Sequence, residues 1–385
     1  MIILEEGDLI RNQSSSTNYM YGNPLQSLET GHWFKLICGA SYQHLPAVRS
    51  LSLVYALAGA DCIDVAADAA VVAAAKEGLA VASQLQESAR KRGFFPLCRP
   101  WLMVSLNDGE DPHFRKATFN PNLCPTECPR PCEAVCPADA INFSGVITDR
   151  CYGCGRCLPV CPSQLITAQS YQVSPPTIVE QLQDYHIDAI EIHTQTGREE
   201  AFQRLWEALQ PIIPQLKILA ISCPDHPDLI PYLKTLSEKI SPLPCPLIWQ
   251  TDGRPMSGDL GKGTTRATVK LAQKVLAANL PGYVQLAGGT NEHTVTKLQS
   301  EQLLNSPPHF PKSYVAGIAY GSFARSQLSS FLESLEQLSH DDPPETKNNL
   351  SSLQLENHPS LLWKAVTQAD ALVSQLKRYP QQVRV

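Results

Sequence analysis

Cys151, Cys154, Cys157 and Cys161 stand in the run "CYGCGRCLPVCP", with a proline behind the last. The spacing C-x2-C-x2-C-x3-C-P suits a [4Fe–4S] cube: two-residue gaps coil the chain so that three thiolates reach three irons, and the wider gap sends the fourth elsewhere. Structural zinc uses paired C-x2-C hooks set far apart. Three hooks in a row before a Cys-Pro favour iron and sulfide. A second set lies upstream at Cys124, Cys128, Cys132 and Cys136-Pro137. Its last step is regular, but its two earlier gaps hold three residues instead of two. "CPADAI" (136–141) and "CPSQLI" (161–166) repeat one another, and Gly145 marks a hairpin between them. Eight of the thirteen cysteines thus fall between Cys124 and Cys161. A disulfide framework belongs to short secreted chains; clustering of this kind in a chain of 385 residues points to metal. Two iron–sulfur clusters are expected. The second half suits [4Fe–4S], and the wide gaps of the first leave [4Fe–4S] and [3Fe–4S] both open.

The remaining cysteines, Cys38, Cys62, Cys98, Cys223 and Cys245, are scattered singly and suit small core positions. What must position the cluster ligands is a run of alternating elements. "FKLIC" (34–38), "CIDVA" (62–66), "WLMVSL" (101–106), "DAIEIH" (188–193), "KILAIS" (217–222), "PLIWQT" (246–251), "GYVQLA" (282–287) and "YVAGIAY" (314–320) have strand character. Amphipathic or Ala/Leu-rich stretches follow them at 45–59, 69–91, 177–185, 199–213, 228–240, 265–279, 292–305 and 326–338. Eight strands each followed by a helix is the count of an α/β (β/α)8 TIM-like barrel, and a doubly wound open sheet is the competing assignment. About eighty residues separate the third and fourth strands, too many for a structureless loop. The cysteines lie there, so an inserted domain over the C-terminal mouth of the barrel is expected. The resulting division is a loose leader at 1–30, barrel at 31–117, the iron–sulfur insertion at 118–171, barrel again at 172–338, and a polar linker with a terminal helix at 339–385.

Strand alternation also furnishes the lumen. Ile190 and Ile192 should face the helices, which turns Glu191 and His193 inward, and Asp64 sits likewise between Ile63 and Val65. Ser105, Asn107, Ser222, Gln250, Asp252 and Gln285 can join them. A lumen filled for stability alone would hold branched aliphatics. Either a closed polar network or a ligand site results, and His193 is the candidate acid–base residue. Two glycine turns, "AGGTNEHT" (287–294) and "YGSFARSQ" (320–327), follow the last two strands. Gly288, Gly289 and Thr290, with Gly321 and Ser322, form a candidate phosphate cradle. The turns are similar to those holding flavin phosphate in barrels of the dihydroorotate-dehydrogenase type, which makes FMN the expected cofactor if the barrel is loaded. "TDGRPMSGDLGKGTTR" (251–266) fails as a P-loop, because Lys262 is followed by Gly263 with no Ser or Thr for magnesium.

Charged residues make up 18% of the chain and the formal net charge is −6, so the basic footprint of a nucleic-acid binder is missing. The Ala-rich stretch 65–83 is broken by Asp68, Lys76 and Glu77 and is no membrane span. Acidic residues stand near the N-terminus where a signal peptide would be positive. A cytoplasmic protein with no nucleic-acid partner is expected.

The paired Cys-Pro halves resemble a two-cluster bacterial-type ferredoxin module. That resemblance implies crossed ligation, with Cys151, Cys154 and Cys157 sharing a cluster with Cys136, and Cys161 joining Cys132, Cys128 and Cys124. Together with "QTDGRPMSGDLGKGTTRATVKLA" and "VQLAGGTNEHTV", the module resembles the cyanobacterial light-dependent-period iron–sulfur protein family over about residues 30–340. The resemblance implies a redox-sensing input to the circadian clock, with clock or other signalling proteins as partners and redox carriers such as the quinone or ferredoxin pool as electron sources. No catalytic residue set comes with it. An oxidoreductase passing electrons from the module to a flavin or phosphate-bearing ligand in the barrel is the alternative.

Overall fold

The structure is a computed structural model that describes residues 23–96, 99–111, 114–136, 138–170, 182, 184–253, 264–305, 313–340 and 354–377. The expected helix at 177–185 lies largely outside these residues, as do Cys98, most of the 251–266 loop and most of the linker.

All eight expected strands form: β1 (Trp33–Gly39), β2 (Cys62–Ala66), β3 (Trp101–Asn107), β4 (Ala189–His193), β5 (Ile218–Pro224), β6 (Leu247–Asp252), β7 (Tyr283–Ala287) and β8 (Gly317–Tyr320). They close as a parallel barrel in chain order, and the seam is made by β1 against β8, from Trp33 opposite Gly317 to Leu36 opposite Tyr320. Closure excludes the open doubly wound sheet. Outward-facing residues such as Phe34, Leu36, Ile63, Val65, Val104, Ile190 and Ile192 pack beneath the helices in one continuous core. Helices follow where apolar periodicity and caps agree. Ala69–Lys91 begins at Asp68, whose carboxylate accepts from the amides of Ala70 and Val71 at 2.9 and 3.1 Å.

Part of the expected leader is ordered. Helix Pro24–Glu29 is capped by the Asn23 side chain, and its Leu28 joins Trp33, Cys62, Met103, Ala220 and Ile248 in an apolar floor beneath the barrel. Its polar composition hides one buried leucine, and only the finished barrel supplies the surface that orders it. The C-terminal helix Pro359–Lys377 packs on the same flank. Its Lys377 Nζ lies 2.8 Å from Ser27 Oγ and 2.6 Å from Asp61 Oδ1, and Trp363 stacks on Phe94 at 6.0 Å.

Between β3 and β4 the chain builds its insertion. Strands Arg115–Thr118 and Thr167–Ser170 pair antiparallel as a neck, and Ile141–Asn142 pairs with Gly145–Val146 as the hairpin. Residues 115–117, assigned to the barrel from sequence, therefore belong to the insertion; their partner strand lies far along the chain and a short run carries no sign of it. The insertion has a small apolar centre at Cys132, Ile141, Cys157 and Ile166. It is tied to the barrel by Lys116 Nζ to Gln43 Oε1 at 2.6 Å and by the Arg150–Glu336 ion pair at 2.9 Å. Among the described residues no helix is long and apolar enough to cross a membrane.

Candidate functional site

The eight clustered cysteines divide between two cavities. One is lined by Cys136, Cys151, Cys154 and Cys157, the other by Cys124, Cys128, Cys132 and Cys161. Two short helices do the placing, Pro131–Ala134 carrying Cys132 and Cys157–Val160 opening on Cys157. None of the eight is in a disulfide. Backbone amides already aim at sulfur: Ala117 N lies 3.3 Å from Cys151 Sγ and Ala140 N lies 3.2 Å from Cys136 Sγ. Burial acts against the Cys161 thiolate, but the amides of Leu165, Ile166, Ser163 and Gln164 outweigh it and draw the pKa down. Burial, with Cys154, Cys151 and Cys136 close by, pushes Cys157 up to about 12. Four thiolates so crowded cannot ionise together unless a cationic centre lies among them. Among the described residues no three His, Cys, Asp or Glu side chains converge on one ion. Four sulfurs line each cavity, a donor set that fits an iron–sulfur cube.

The lumen is the second site. Lys35, 0% exposed, was missed by the sequence reading, although it stands between outward-facing Phe34 and Leu36 as Glu191 stands between Ile190 and Ile192. Its Nζ lies 3.2 Å from Asp64 and bonds Glu191. Glu191 also accepts from Gln250 at 2.5 Å and pairs with His193 Nε2 at 3.0 Å. Ser105 donates to Asp64 at 2.9 Å, Ser222 to Asp252 at 2.5 Å, and Gln285 to Gln250 at 2.6 Å. Trp33 Nε1 donates to Gln285 at 2.6 Å and closes the network against the floor. Of the polar residues expected in the lumen, only Asn107 stands apart, bonding Gly109 O at 2.6 Å.

Charge in this network is set by burial against pairing. Desolvation lowers Lys35, but Asp64 and Glu191 outweigh it and hold the ammonium above its ordinary pKa. Desolvation lifts Asp64 to about 6 despite Lys35. Glu191, desolvated but facing both Lys35 and His193, falls to about 2. Desolvation acts against His193 too, yet Glu191 raises it to about 9. Pairing with Glu191 thus favours the imidazolium form of His193, the form that donates a proton. Lys35 is no nucleophile.

Above the lumen the barrel mouth is roofed by the insertion. Tyr152, between Cys151 and Cys154, packs edge-on to Tyr42 at 5.9 Å, and the Arg325 guanidinium lies 4.1 Å from its ring centre. Phe114, at the neck, meets His193 edge-on at 5.4 Å. Gly288, Gly289, Thr290, Gly321 and Ser322 all line this mouth together with Glu191 and His193. Of these, Gly321 stands at a helix N-cap. The helix after the first turn begins only at Thr294, and that after the second, Ser322–Ser326, is a single turn. Gly289 also has a packing reason: at φ 101°, a Cβ there would sit 3.1 Å from Thr264 O.

Family models match two segments: the light dependent period A (LdpA) C-terminal domain at residues 181–375, and the LdpA Fe-S cluster-binding domain at residues 124–172. A curated relative described as "Light dependent period A", from Synechococcus elongatus, is 56% identical over 355 residues, which is 92% of this chain and 94% of the relative. Solved structures align loosely. Tryptophan synthase from M. tuberculosis in its open form gives a TM-score of 0.36 at 10% identity, covering 91% of this chain and 92% of that one. The carboxyl transferase domain of Rhizobium etli pyruvate carboxylase gives 0.38 at 11% identity, covering 92% and 52%. Such scores add nothing to the closed strand order. With more than half its length matched by the C-terminal domain and its cysteine insertion by the cluster-binding domain, the chain belongs to the light dependent period A family of iron–sulfur proteins.

Proposed function

We propose that the chain is a cytoplasmic iron–sulfur redox sensor that conveys the cell's redox state, and through it light, to the circadian clock. One cluster is held by Cys136, Cys151, Cys154 and Cys157, the other by Cys124, Cys128, Cys132 and Cys161. The observation that carries this reading is the division of eight sulfurs into two four-cysteine cavities, each drawing ligands from both halves of the repeat. This is the crossed arrangement of two-cluster ferredoxin modules. Bound clusters would supply one-electron chemistry. The chain's own part is to aim amides at the sulfurs and to fix the nearer set against the barrel through Tyr152. The family name joins light to period, and quinone or ferredoxin-type carriers fit as electron sources for clusters near the surface, with clock or other signalling proteins as readers.

The test is anaerobic purification followed by iron, sulfide and zinc analysis, EPR of reduced and oxidised protein, and partner binding at both redox states. About eight irons per chain are expected, or about seven if the first cluster lacks a corner. Stoichiometric zinc without iron would end the reading, and partner affinity indifferent to reduction would remove sensing from it.

A further inference from the structure

We propose that the seam between the insertion and the barrel mouth binds the phosphate monoester of a small hydroxylated molecule, with Arg325 as its principal anion ligand. The inference stands on the mouth itself and does not depend on redox sensing. Arg325 sits at the rim, partly buried, and its partners are all uncharged: Ile37 O at 2.8 Å, Ser322 Oγ at 3.1 Å and the Tyr152 ring. Among the described residues its Nε finds no acceptor and no carboxylate lies within ion-pairing distance. Arg198, elsewhere on the rim, has Asp108 at 3.4 Å. A shielded guanidinium without an anion is an incomplete arrangement, and phosphate is the group its fork geometry matches.

The opposite wall completes the site. The Gly288 carbonyl accepts from Thr268 Oγ1 at 2.5 Å, and the Gly289 carbonyl accepts from Thr264 and Thr265 at 3.1 and 3.3 Å. All three threonines belong to helix Thr264–Ala277 outside the barrel. In a trans peptide the C=O and the next N–H point in opposite directions. Pulling both carbonyls toward the helix turns the amides of Gly289 and Thr290 toward the mouth. Between that wall and Arg325 lies a cavity of about 70 Å³ that opens to solvent, so a bound ester would seat its phosphate there and extend outward. Below it, Asp64, Glu191 and Asp252 offer acceptors suited to hydroxyls rather than to a second anion.

Melting of the purified, cluster-loaded protein would be followed against inorganic phosphate, ribose 5-phosphate and FMN, with iron content as a check on integrity. A concentration-dependent rise in melting temperature is expected with at least one of them. Arg325→Gln should weaken it by about tenfold or more, and Arg325→Lys should retain part of it. A rise at lower concentration with an ester identifies the ester as the source, and an equal response to inorganic phosphate identifies the free anion. Should Arg325→Gln lose iron or fail to fold, broadening of the phosphorus resonance by wild type, set against Arg325→Lys, carries the test. No response in wild type to any probe, or an undiminished one in Arg325→Gln, overturns the proposal and leaves Arg325 as a strut for Tyr152.

Discussion

Replacing His193 with glutamine should remove one specific slice of pH-dependent stability. In the folded lumen Glu191 raises the imidazole from 6.5 to about 9 against its desolvation. The folded state therefore holds the proton more tightly than the unfolded chain does. The sign follows: the contribution is full below pH 6.5 and is lost as pH rises through 9. Its full size is about 3 kcal/mol, with about 2 kcal/mol left at pH 7.5 and only a small remainder at pH 9. Glutamine keeps a polar group beside Glu191 but cannot carry the charge. Urea unfolding of both proteins, run anaerobically at pH 6.5, 7.5 and 9.5, should show the gap between them closing as pH rises. A gap that stays constant or widens with pH would refute the assignment of a charged His193 to the lumen.

Lys35→Met should cost about 3–5 kcal/mol at pH 8, since it leaves Asp64 without its counter-charge and Glu191 with His193 alone. The loss should shrink at pH 5, where the carboxyls can take up protons, and melting temperatures at the two values would show it. Cys154→Ala should remove the nearer cluster and destabilise the insertion, whose apolar centre is small. Cys124→Ala, at the more exposed cavity, should lose less iron and less thermal stability; equal losses would contradict that ranking. Gly289→Val should cost about 1–3 kcal/mol with no ligand added, because its side chain points at Thr264 and must hold a positive φ. A melting temperature unchanged from wild type would show that the turn relaxes instead.

The barrel strands were legible because their apolar runs have the length and alternation of strands lying between helices. The cysteine pattern was legible because cluster ligation imposes short gaps that few other chemistries need. Lys35 carried the same alternation signal as Glu191 yet went unread, since a lysine between apolar residues looks like an edge position until its two carboxylates are placed across the lumen. Arg325 could not be found at all. Its importance comes from Tyr152, brought over it by a neck whose strands, Arg115–Thr118 and Thr167–Ser170, pair across the whole insertion. The order in helix Pro24–Glu29 was equally hidden, because the floor it covers is assembled from distant strands.

The seam of the barrel has a consequence for biogenesis. β1 is made early but finds its second neighbour only when β8 has left the ribosome. The insertion, lying between β3 and β4, is complete well before that. Domains fold as units during synthesis, N-terminal parts first, so the cysteine pockets exist while the barrel is still an open, growing sheet. Iron and sulfide can be delivered to a nascent chain whose insertion stands clear. Only later does the segment bearing Arg325 arrive to cover Tyr152. The order of synthesis thus leaves the cysteine pockets accessible before the barrel can close.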